Sequence, residues 1–507
     1  MRRTLSALVA LVAPLAVASL GACTMMPHYE RPASPVPASW PQDAGAAPKS
    51  RDTSASAAAQ PPQGFAADQI GWLDFFLDAR LRELIGIALE NNRDLRIAVL
   101  NVAASEAQFR VERSNLFPSI SATGAEIVEK LPPNGALPLN AIGSSAGSTV
   151  IPTGPASTTF RYFSATAGFT NYELDLFGRQ RSLTTEAFEQ YLAQYESRRS
   201  TQITLVSEVA TDYFAVLADD ALVKLTEETL KSENETYALT QAMYERDTTA
   251  LLSVRQAESP VDAARASLAQ YRRQLAEDRH ALTLVLGQEI PPGLAPEPDI
   301  DRERLLADLP VGLPSSLIEN RPDILSAEHA LRAANANIGA ARAAFFPSIE
   351  LTGSAGTASG RLRDLFSKGS GTWSFSPSIT LPIFTGGQNE ANLDLADVEK
   401  KIQIATYEQT IQTAFREVAD ALSGRSTYRD QLQAQQALVA ADADAYRLSE
   451  LRFRQGVDSY LSTLDSERSL FAAQQTLVAL RQAELANEVT LYKALGGGWH
   501  KRTASAR

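Results

Sequence analysis

Asn91-Asn92-Arg93-Asp94-Leu95 is written again as Asn320-Arg321-Pro322-Asp323-Ile324, and Leu116-Phe117-Pro118-Ser119-Ile120 as Phe345-Phe346-Pro347-Ser348-Ile349. Both pairs are offset by 229 residues. Farther on, Glu208-Val209-Ala210 matches Glu417-Val418-Ala419, Tyr244 matches Phe453, Glu258 matches Glu467, and Leu286-Gly287 matches Leu495-Gly496, all at an offset of 209. The chain is a duplicated unit, each copy a little under half of its 507 residues. Two similar units, each with an apolar face, must bury those faces against each other or against other chains.

Each copy reads as helix, two strands, long helix, helix. The first helical segment, about 78–116, carries Leu81, Leu84, Ile85, Ala88 and Leu89 at helical spacing. In copy two, Pro322 suits a first-turn position, where its missing N–H costs nothing. Both helices are expected to stop before a proline, Pro118 and Pro347, because the residue before Pro is pushed out of α. In 348–357, Ile349, Leu351, Gly353 and Ala355 alternate with Ser348, Glu350, Thr352 and Ser354; 372–383 repeats the pattern with Trp373, Phe375, Ile379, Leu381 and Ile383. Copy one echoes it with Phe163, Ala165, Ala167 and Phe169. Period two with one apolar and one small-polar face fits a half-buried strand, either in a soluble hairpin or crossing a bilayer. The long helices, about 178–246 and 387–454, step Val206, Val209, Tyr213, Val216 and Phe415, Val418, Leu422 at near-heptad spacing. A second helix returns in each copy, about 250–287 and 459–496, with Gly287 and Gly496 suited to left-handed ends.

The start of the chain is not fold. Arg2 and Arg3 precede an apolar run from Leu5 to Leu20, which is the plan of a secretory signal peptide. Leu20-Gly21-Ala22-Cys23 resembles a bacterial lipobox, which implies cleavage before Cys23 and acyl chains on it. Each buried methylene would add about 0.8 kcal/mol of anchoring. Thr24, rather than Asp, follows the cysteine and favours the outer membrane. Cys23 is the only cysteine, which excludes disulfides and thiolate metal sites within one chain. The net charge of −12 becomes −14 once Arg2 and Arg3 leave with the signal, and such an acidic chain is a poor nucleic-acid binder. Residues 24–66 hold eight prolines with no apolar period, an extended tether.

Tyr172-Glu173-Leu174-Asp175-Leu176-Phe177-Gly178-Arg179, Gly312-Leu313-Pro314-Ser315, Arg321-Pro322-Asp323-Ile324 with Ala327-Glu328, and Tyr492-Lys493-Ala494-Leu495-Gly496-Gly497-Gly498-Trp499 together resemble the outer-membrane factors of tripartite efflux pumps. These are the TolC/OprM-like channels, and the match is nearest their NodT-type lipoprotein branch. The resemblance runs from Cys23 to about Trp499. It implies a mixed α and β membrane protein: a trimeric 12-stranded β-barrel, four strands per chain, continued by a long periplasmic α-helical barrel. Four strands cannot close a barrel, so chains must pool strands, as a dimer of eight or a trimer of twelve. The resemblance selects the homotrimer. The expected organisation is a signal at 1–22, a lipidated tether at 23–67, repeat one at 68–290, a linker at 291–313, repeat two at 314–498 and a tail at 499–507.

Two turns and one helix face are the candidate sites. Asp247-Thr248-Thr249-Ala250 interrupts the helical pattern in copy one, and Arg454-Gln455-Gly456-Val457-Asp458-Ser459 does so in copy two. Gly456 supplies turn freedom, and Asp458 or Ser459 an N-cap. These are either ordinary helix turns or, as the resemblance implies, periplasmic tips on which an adaptor (membrane fusion) protein docks. Just beyond, Leu461, Asp465 and Arg468 share one helix face at i, i+4, i+7. By resemblance they form the periplasmic aperture, with Leu461 as plug, Asp465 as acidic ring and Arg468 as lock partner. The plain alternative is a local Asp465–Arg468 pair on a solvated face. Copy one has Leu252, Gln256 and Ser259 there, without charges.

Other motifs carry little. Gly143-Ser144-Ser145-Ala146-Gly147 fits a nucleophile pattern but lacks the strand and helix that would make it one. Four scattered histidines form no metal spacing, and no phosphate loop is present, so no enzyme activity or cofactor is expected beyond the lipid on Cys23. The expected function is a passive conduit for small molecules, handed over by an inner-membrane RND-type transporter. The rivals are a type I polypeptide secretion conduit and a periplasmic coiled-coil scaffold lipoprotein without a pore. Phe177 lies 59 positions after Pro118, whereas Phe384 lies 37 after Pro347; the excess includes Leu131 to Thr159, read as an extracellular loop.

Overall fold

The computed structural model describes residues 24–37, 39–40, 67–131, 136–137, 151–152, 158–294, 298–302, 305–306, 309–310 and 320–503. The expected signal peptide, Cys23, residues 143–147 and residues 312–315 lie outside the described residues, as does most of the stretch from Leu131 to Thr159. In chain order the main elements are α1 (Ala79–Asn91), α2 (Arg93–Ser114), β1 (Ser121–Leu131), β2 (Thr158–Glu173), α3 (Arg179–Glu245) and α4 (Leu251–Leu286), then α5 (Pro322–Ala343), β3 (Ser348–Ser359), β4 (Gly371–Thr380), α6 (Gln388–Arg454) and α7 (Tyr460–Ala494). The helix expected over 78–116 is divided at Asn92. Asn92 leaves the helical region at ψ 134°, and its Oδ1 then accepts from Leu95 N–H at 2.8 Å, capping α2. No described helix is long and apolar enough to cross a membrane.

The chain forms two compact units, and each draws on both copies. One comprises Met1–Pro32, Val102–Ala193 and Ala327–Thr406; the other comprises Ala33–Asn101, Gln194–Ser326 and Tyr407–Arg507. The first unit holds an antiparallel sheet in the order β1-β2-β3-β4. Directly paired residues share a face. Ile349 opposes Ile379, Leu351 opposes Pro377, Gly353 opposes Phe375 and Ala355 opposes Trp373. Phe163, Ala165, Ala167 and Phe169 of β2 continue that apolar face. Ser348, Glu350, Thr352 and Ser354 oppose Thr380, Ser378, Ser376 and Ser374 on the other. From Ile349 to Thr357 the apolar face runs about 26 Å, close to the band a membrane barrel presents. On β4 that face is bare: Trp373 is 79% exposed and Ile379 70%.

β1 and β4 are the free edges of this sheet. Ala358 N–H donates to Ser370 O at 2.8 Å, so even-numbered β4 residues turn their backbone groups toward β3. Pro377 therefore turns its missing N–H to the free edge, the side on which a strand tolerates proline.

The same unit holds the start of the described chain, strapped along α5. Asn335 Nδ2 donates to Pro27 O at 2.9 Å, and Arg31 donates to both carboxylate oxygens of Glu328 at 3.1 and 2.7 Å. Tyr29 donates to Glu328 at 3.2 Å and lies under the Arg332 guanidinium. Met26 passes so close to Gly339 that a Cβ there would meet Met26 Cγ at 2.5 Å.

The second unit is helical. Its α3 seam buries Val206, Val209, Tyr213 and Val216, and its α6 seam buries Tyr407, Ile411, Ala414, Val418 and Leu422 in steps of four and three. Phe415 is half-buried, with the Trp40 ring stacked on it at 4.9 Å. Asp78 caps α1 through Arg80 N–H and accepts from Tyr213 OH at 2.6 Å. The carboxyl end of the chain is tied in. Trp72 N–H donates to His500 O at 2.9 Å, and Tyr492 OH donates to Ile70 O at 2.6 Å while stacking on Phe75. Trp499 lies beneath Arg198 and Arg199.

The two copies solve one joint in two ways. Asn92 Nδ2 donates to Val285 O at 2.8 Å, at the end of α4. At the matching positions Arg321 donates to Ala494 O at 3.0 Å, at the end of α7, and also grips Asp323 and Glu417. The Arg321-Pro322-Asp323 motif is thus a clasp joining α5, α6 and α7.

Candidate functional site

Both helix reversals lie in the second unit and have one geometry. Asp247 N–H donates to Tyr244 O and Thr248 N–H to Met243 O; Gly456 N–H donates to Phe453 O and Val457 N–H to Arg452 O. These are paired Schellman closures, with the left-handed residue at φ 57° for Asp247 and 72° for Gly456. Thr248 Oγ1 adds a bond to Met243 O at 2.7 Å, while Thr249 is half-buried. Ser459 takes the N-cap position of α7 with extended backbone, but its side chain makes no capping bond. Asp458 does not cap either. It pairs with Arg452 at 2.5 and 3.0 Å, and those hydrogen bonds hold its carboxyl below the usual range. Tyr460, Leu464 and Ala257 form the core beneath the turns, with Tyr237 and Phe453 against it. Val457 and Leu461 are both 59% exposed, so the turn region shows apolar surface.

α7 has two faces here. Tyr460, Thr463, Leu464 and Glu467 are buried, whereas Leu461, Asp465 and Arg468 are exposed. The three residues singled out by spacing do share one exposed face. The local Asp465–Arg468 ion pair is not formed: neither group has an ion pair or hydrogen bond with another described residue. In copy one Leu252 is 67% exposed at the matching place.

Behind that face lies a feature that sequence spacing did not mark. Glu467 is 6% exposed and Glu233, on α3, is 3% exposed. Ser232 Oγ donates to Glu467 Oε1 and lies 3.1 Å from Tyr446 OH; Tyr460 OH donates to Glu233 Oε2 at 3.4 Å. Burial, and then the charge of Glu467, pushes the Glu233 carboxyl well above the usual range; burial also raises Glu467. Nearer the middle of α3, burial followed by Glu208 and Asp278 pushes Asp212 up to about 6, and burial with Asp278 raises Asp219. The one signal available in the sequence was the mismatch of Arg255 with Leu464 beside the matched Glu258 and Glu467. In copy one Arg255 reaches Glu258 at 2.5 Å, but Leu464 stands where that arginine would be. Among the described residues no cluster of His, Cys, Asp and Glu could hold a metal ion.

Helix hairpins ending in paired turns, with strands β3 and β4 apolar on one face and rich in Ser and Thr on the other, set the context for comparison with known proteins. The family model described as outer membrane efflux protein matches residues 84–288 and 313–497. A probable efflux pump outer membrane protein, TtgC of Pseudomonas putida, is 49% identical over 488 residues, covering 96% of this chain and 95% of that protein. Outer membrane protein OprJ of Pseudomonas aeruginosa is 42% identical over 486 residues, covering 95% and 94%. Among solved structures, the open state of the Neisseria gonorrhoeae MtrE outer membrane channel has a TM-score of 0.81 at 37% identity, covering 95% of this chain and 100% of that one. CusC has a TM-score of 0.77 at 36% identity, covering 94% and 100%. On the strength of the family match and these relatives, the chain belongs to the outer membrane efflux protein family.

Proposed function

We propose that this protein is the passive outer-membrane conduit of a tripartite efflux pump, carrying small molecules out of the cell. The observation that carries the reading is the sheet. A non-channel scaffold would have no use for strands whose bare face shows Trp373, Phe375 and Ile379 while the other face is lined with serine and threonine. The first face suits lipid and the second a wet lumen. Relatives named for toluene, solvent and antibiotic efflux favour small molecules over polypeptides as cargo.

The duplication supports assembly as a homotrimer with a 12-stranded barrel. Within the chain, the second strand of copy one (β2) pairs with the first strand of copy two (β3). Repeating that junction between chains sets β4 against β1 of the next copy and leaves no free edge. At the offset of 207 that matches Phe177 with Phe384, Pro377 corresponds to Thr170. Thr170 falls in the register shift between Phe169 and Tyr172, where the β2–β3 ladder is already interrupted. The proline without an N–H thus meets the neighbour where that bond is missing in the template. α2 fits the same picture: only Leu95 of it is buried, whereas its counterpart α5 buries Ile324, Leu331, Ala333, Ala336 and Ile338.

The finer roles follow. Cys23 carries the lipid: the strap places Met26 against Gly339, four residues before the end of α5, and three more residues reach about 10 Å. Leu461, Asp465 and Arg468 form the periplasmic aperture, where unpaired carboxylates around an axis attract cations and Leu461 narrows the pore. The turns at Asp247–Thr249 and Gly456–Ser459 receive a periplasmic adaptor, which links the conduit to an inner-membrane RND-type transporter. The purified protein in planar bilayers should give discrete conductance steps, and Asp465→Ala with Arg468→Ala should raise them. Absence of any conductance would sink the conduit; unchanged conductance in the double variant would sink the aperture.

A further inference from the structure

The buried face of α7 carries its own device. Glu467 has given up the arginine that its counterpart Glu258 keeps, since Leu464 replaces Arg255. It lies against Glu233 instead: Ser232, the residue before Glu233 on α3, bonds Glu467 and touches Tyr446 of α6, Tyr460 of α7 bonds Glu233, and both carboxyls are buried. The titratable and charged groups around them are Glu233 from α3, Tyr446 and Glu450 from α6, and Tyr460, Glu467 and Arg468 from α7. Among the described residues Arg468 is the cation that acts on Glu233; it is exposed, and it acts less than burial, Glu467 and Tyr460 do. Glu467 Oε2 is buried with no fixed hydrogen-bond donor among the described residues. Ser232 serves one oxygen of Glu467 and Tyr460 one of Glu233, and with only the exposed Arg468 as a nearby cation the two adjoining buried carboxyls are best accommodated with one proton between them: Glu233 protonated and donating to Glu467.

We propose that Glu233 and Glu467 form a single-proton latch that fastens the first two turns of α7 to α3, and that loss of this proton frees the face carrying Leu461, Asp465 and Arg468. The latch itself rests on the buried pair; its effect on conduction rests on the aperture reading. Freed carboxylates return to water, where their affinity for protons is ordinary. The latched state therefore binds one proton more than the released state, and raising the pH favours release. The bond broken is the O–H of Glu233, and its proton goes to solvent.

The test uses the full-length protein in detergent or lipid. Hydrogen–deuterium exchange of amides 460–468 is compared, at each pH, between wild type and Glu233→Gln. The glutamine amide can donate to Glu467 at every pH, and the comparison cancels the intrinsic pH dependence of exchange. The ratio of wild-type to variant exchange should be near one at about pH 5.5 and rise at least about threefold by about pH 9. A ratio flat across that range overturns the latch. Should Glu233→Gln fail to assemble, Glu233→Gln with Glu467→Gln serves as the pH-independent reference. Bilayer conductance then separates the two readings. A pH-dependent exchange ratio with conductance that follows it supports both; the same ratio with conductance indifferent to pH and to Asp465→Ala overturns the aperture and leaves the latch standing.

Discussion

Asp247 and Gly456 hold the same left-handed backbone, φ 57° and 72°, at the ends of two helices of 67 residues each. The closing bonds are the same in both turns, but only one turn has a glycine. An L-residue in that region costs roughly 1 kcal/mol, less for Asp than for most. Asp247→Gly should therefore stabilise the chain by a few tenths to about 1 kcal/mol, offset in part by the freedom glycine adds to the unfolded chain. Gly456→Ala should destabilise by about 1 kcal/mol, and through backbone alone, since a Cβ there meets nothing within 4 Å. Thermal melts followed by helical circular dichroism test both. Equal shifts of the same sign would contradict the shared geometry.

Glu328 fixes the strap that leads back to Cys23. Burial alone would raise its carboxyl, but hydrogen bonds from Arg31 and Arg332 hold it below the usual range. A lowered value means the stabilisation is complete above the ordinary carboxylate range and is lost as acid protonates the folded form. Glu328→Ala should loosen residues 24–37 at neutral pH. The measurement is limited proteolysis, with cleavage in this segment rising severalfold while the helices stay protected; mass spectrometry of the same sample tests whether Cys23 carries acyl chains. Wild type should show the same cleavage only in strong acid. A strap equally resistant in the variant would remove Glu328 from this role.

Phe177 and Phe346 stack within the chain at 4.8 Å, joining the end of copy one's strand pair to copy two. Their counterparts, Phe384 and Phe117, are 90% and 65% exposed. In the proposed trimer Phe384 of one copy meets Phe117 of the next. Phe117→Cys with Phe384→Cys should give cross-linked dimers and trimers with a short bis-thiol reagent, and each single variant should not. Cross-linking as efficient in the single variants, or absent from the pair, would place the junction elsewhere.

Local information sets the helices. α3 and α6 begin and end within one residue of the bounds expected from heptad spacing, because Gly456 and its counterpart stop them locally. The alternation at Ile349, Leu351 and Ala355 likewise foretold β3 and its two faces. What spacing could not see was long-range. The segment from Thr24 to Pro32 has no apolar period, yet it is held along α5 by Glu328 and Asn335, about 300 residues away in sequence. Asn92 looked like a residue inside one helix, and only its bonds to Leu95 and Val285 reveal a joint. In the sequence Glu467 stands out only as the repeat counterpart of Glu258, and nothing in the spacing pairs it with Glu233; that pair exists only where α3 and α7 meet.

The raised carboxylates in the middle of α3 make a prediction about pH. Asp212 is pushed up to about 6 by burial, Glu208 and Asp278, and Asp219 is raised by burial and Asp278. Below the ordinary carboxylate range both folded and unfolded chains are protonated, so these groups cost nothing. As the pH rises, the unfolded chain ionises first and the folded chain holds its protons longer, so stability falls. The fall is complete once the folded form ionises, near about pH 6 for Asp212. Asp212→Asn should then stabilise the helical unit by on the order of 1–2 kcal/mol at pH 8 and by no more than about 0.5 kcal/mol near pH 4. Asp219→Asn should act in the same sense, and the pair should be less than additive because both repel Asp278. Melting midpoints of the two variants and wild type at four or five pH values decide it. A gain that is the same at pH 4 and pH 8 would mean that asparagine improves packing, and that charge at Asp212 and Asp219 is not what the wild type resists.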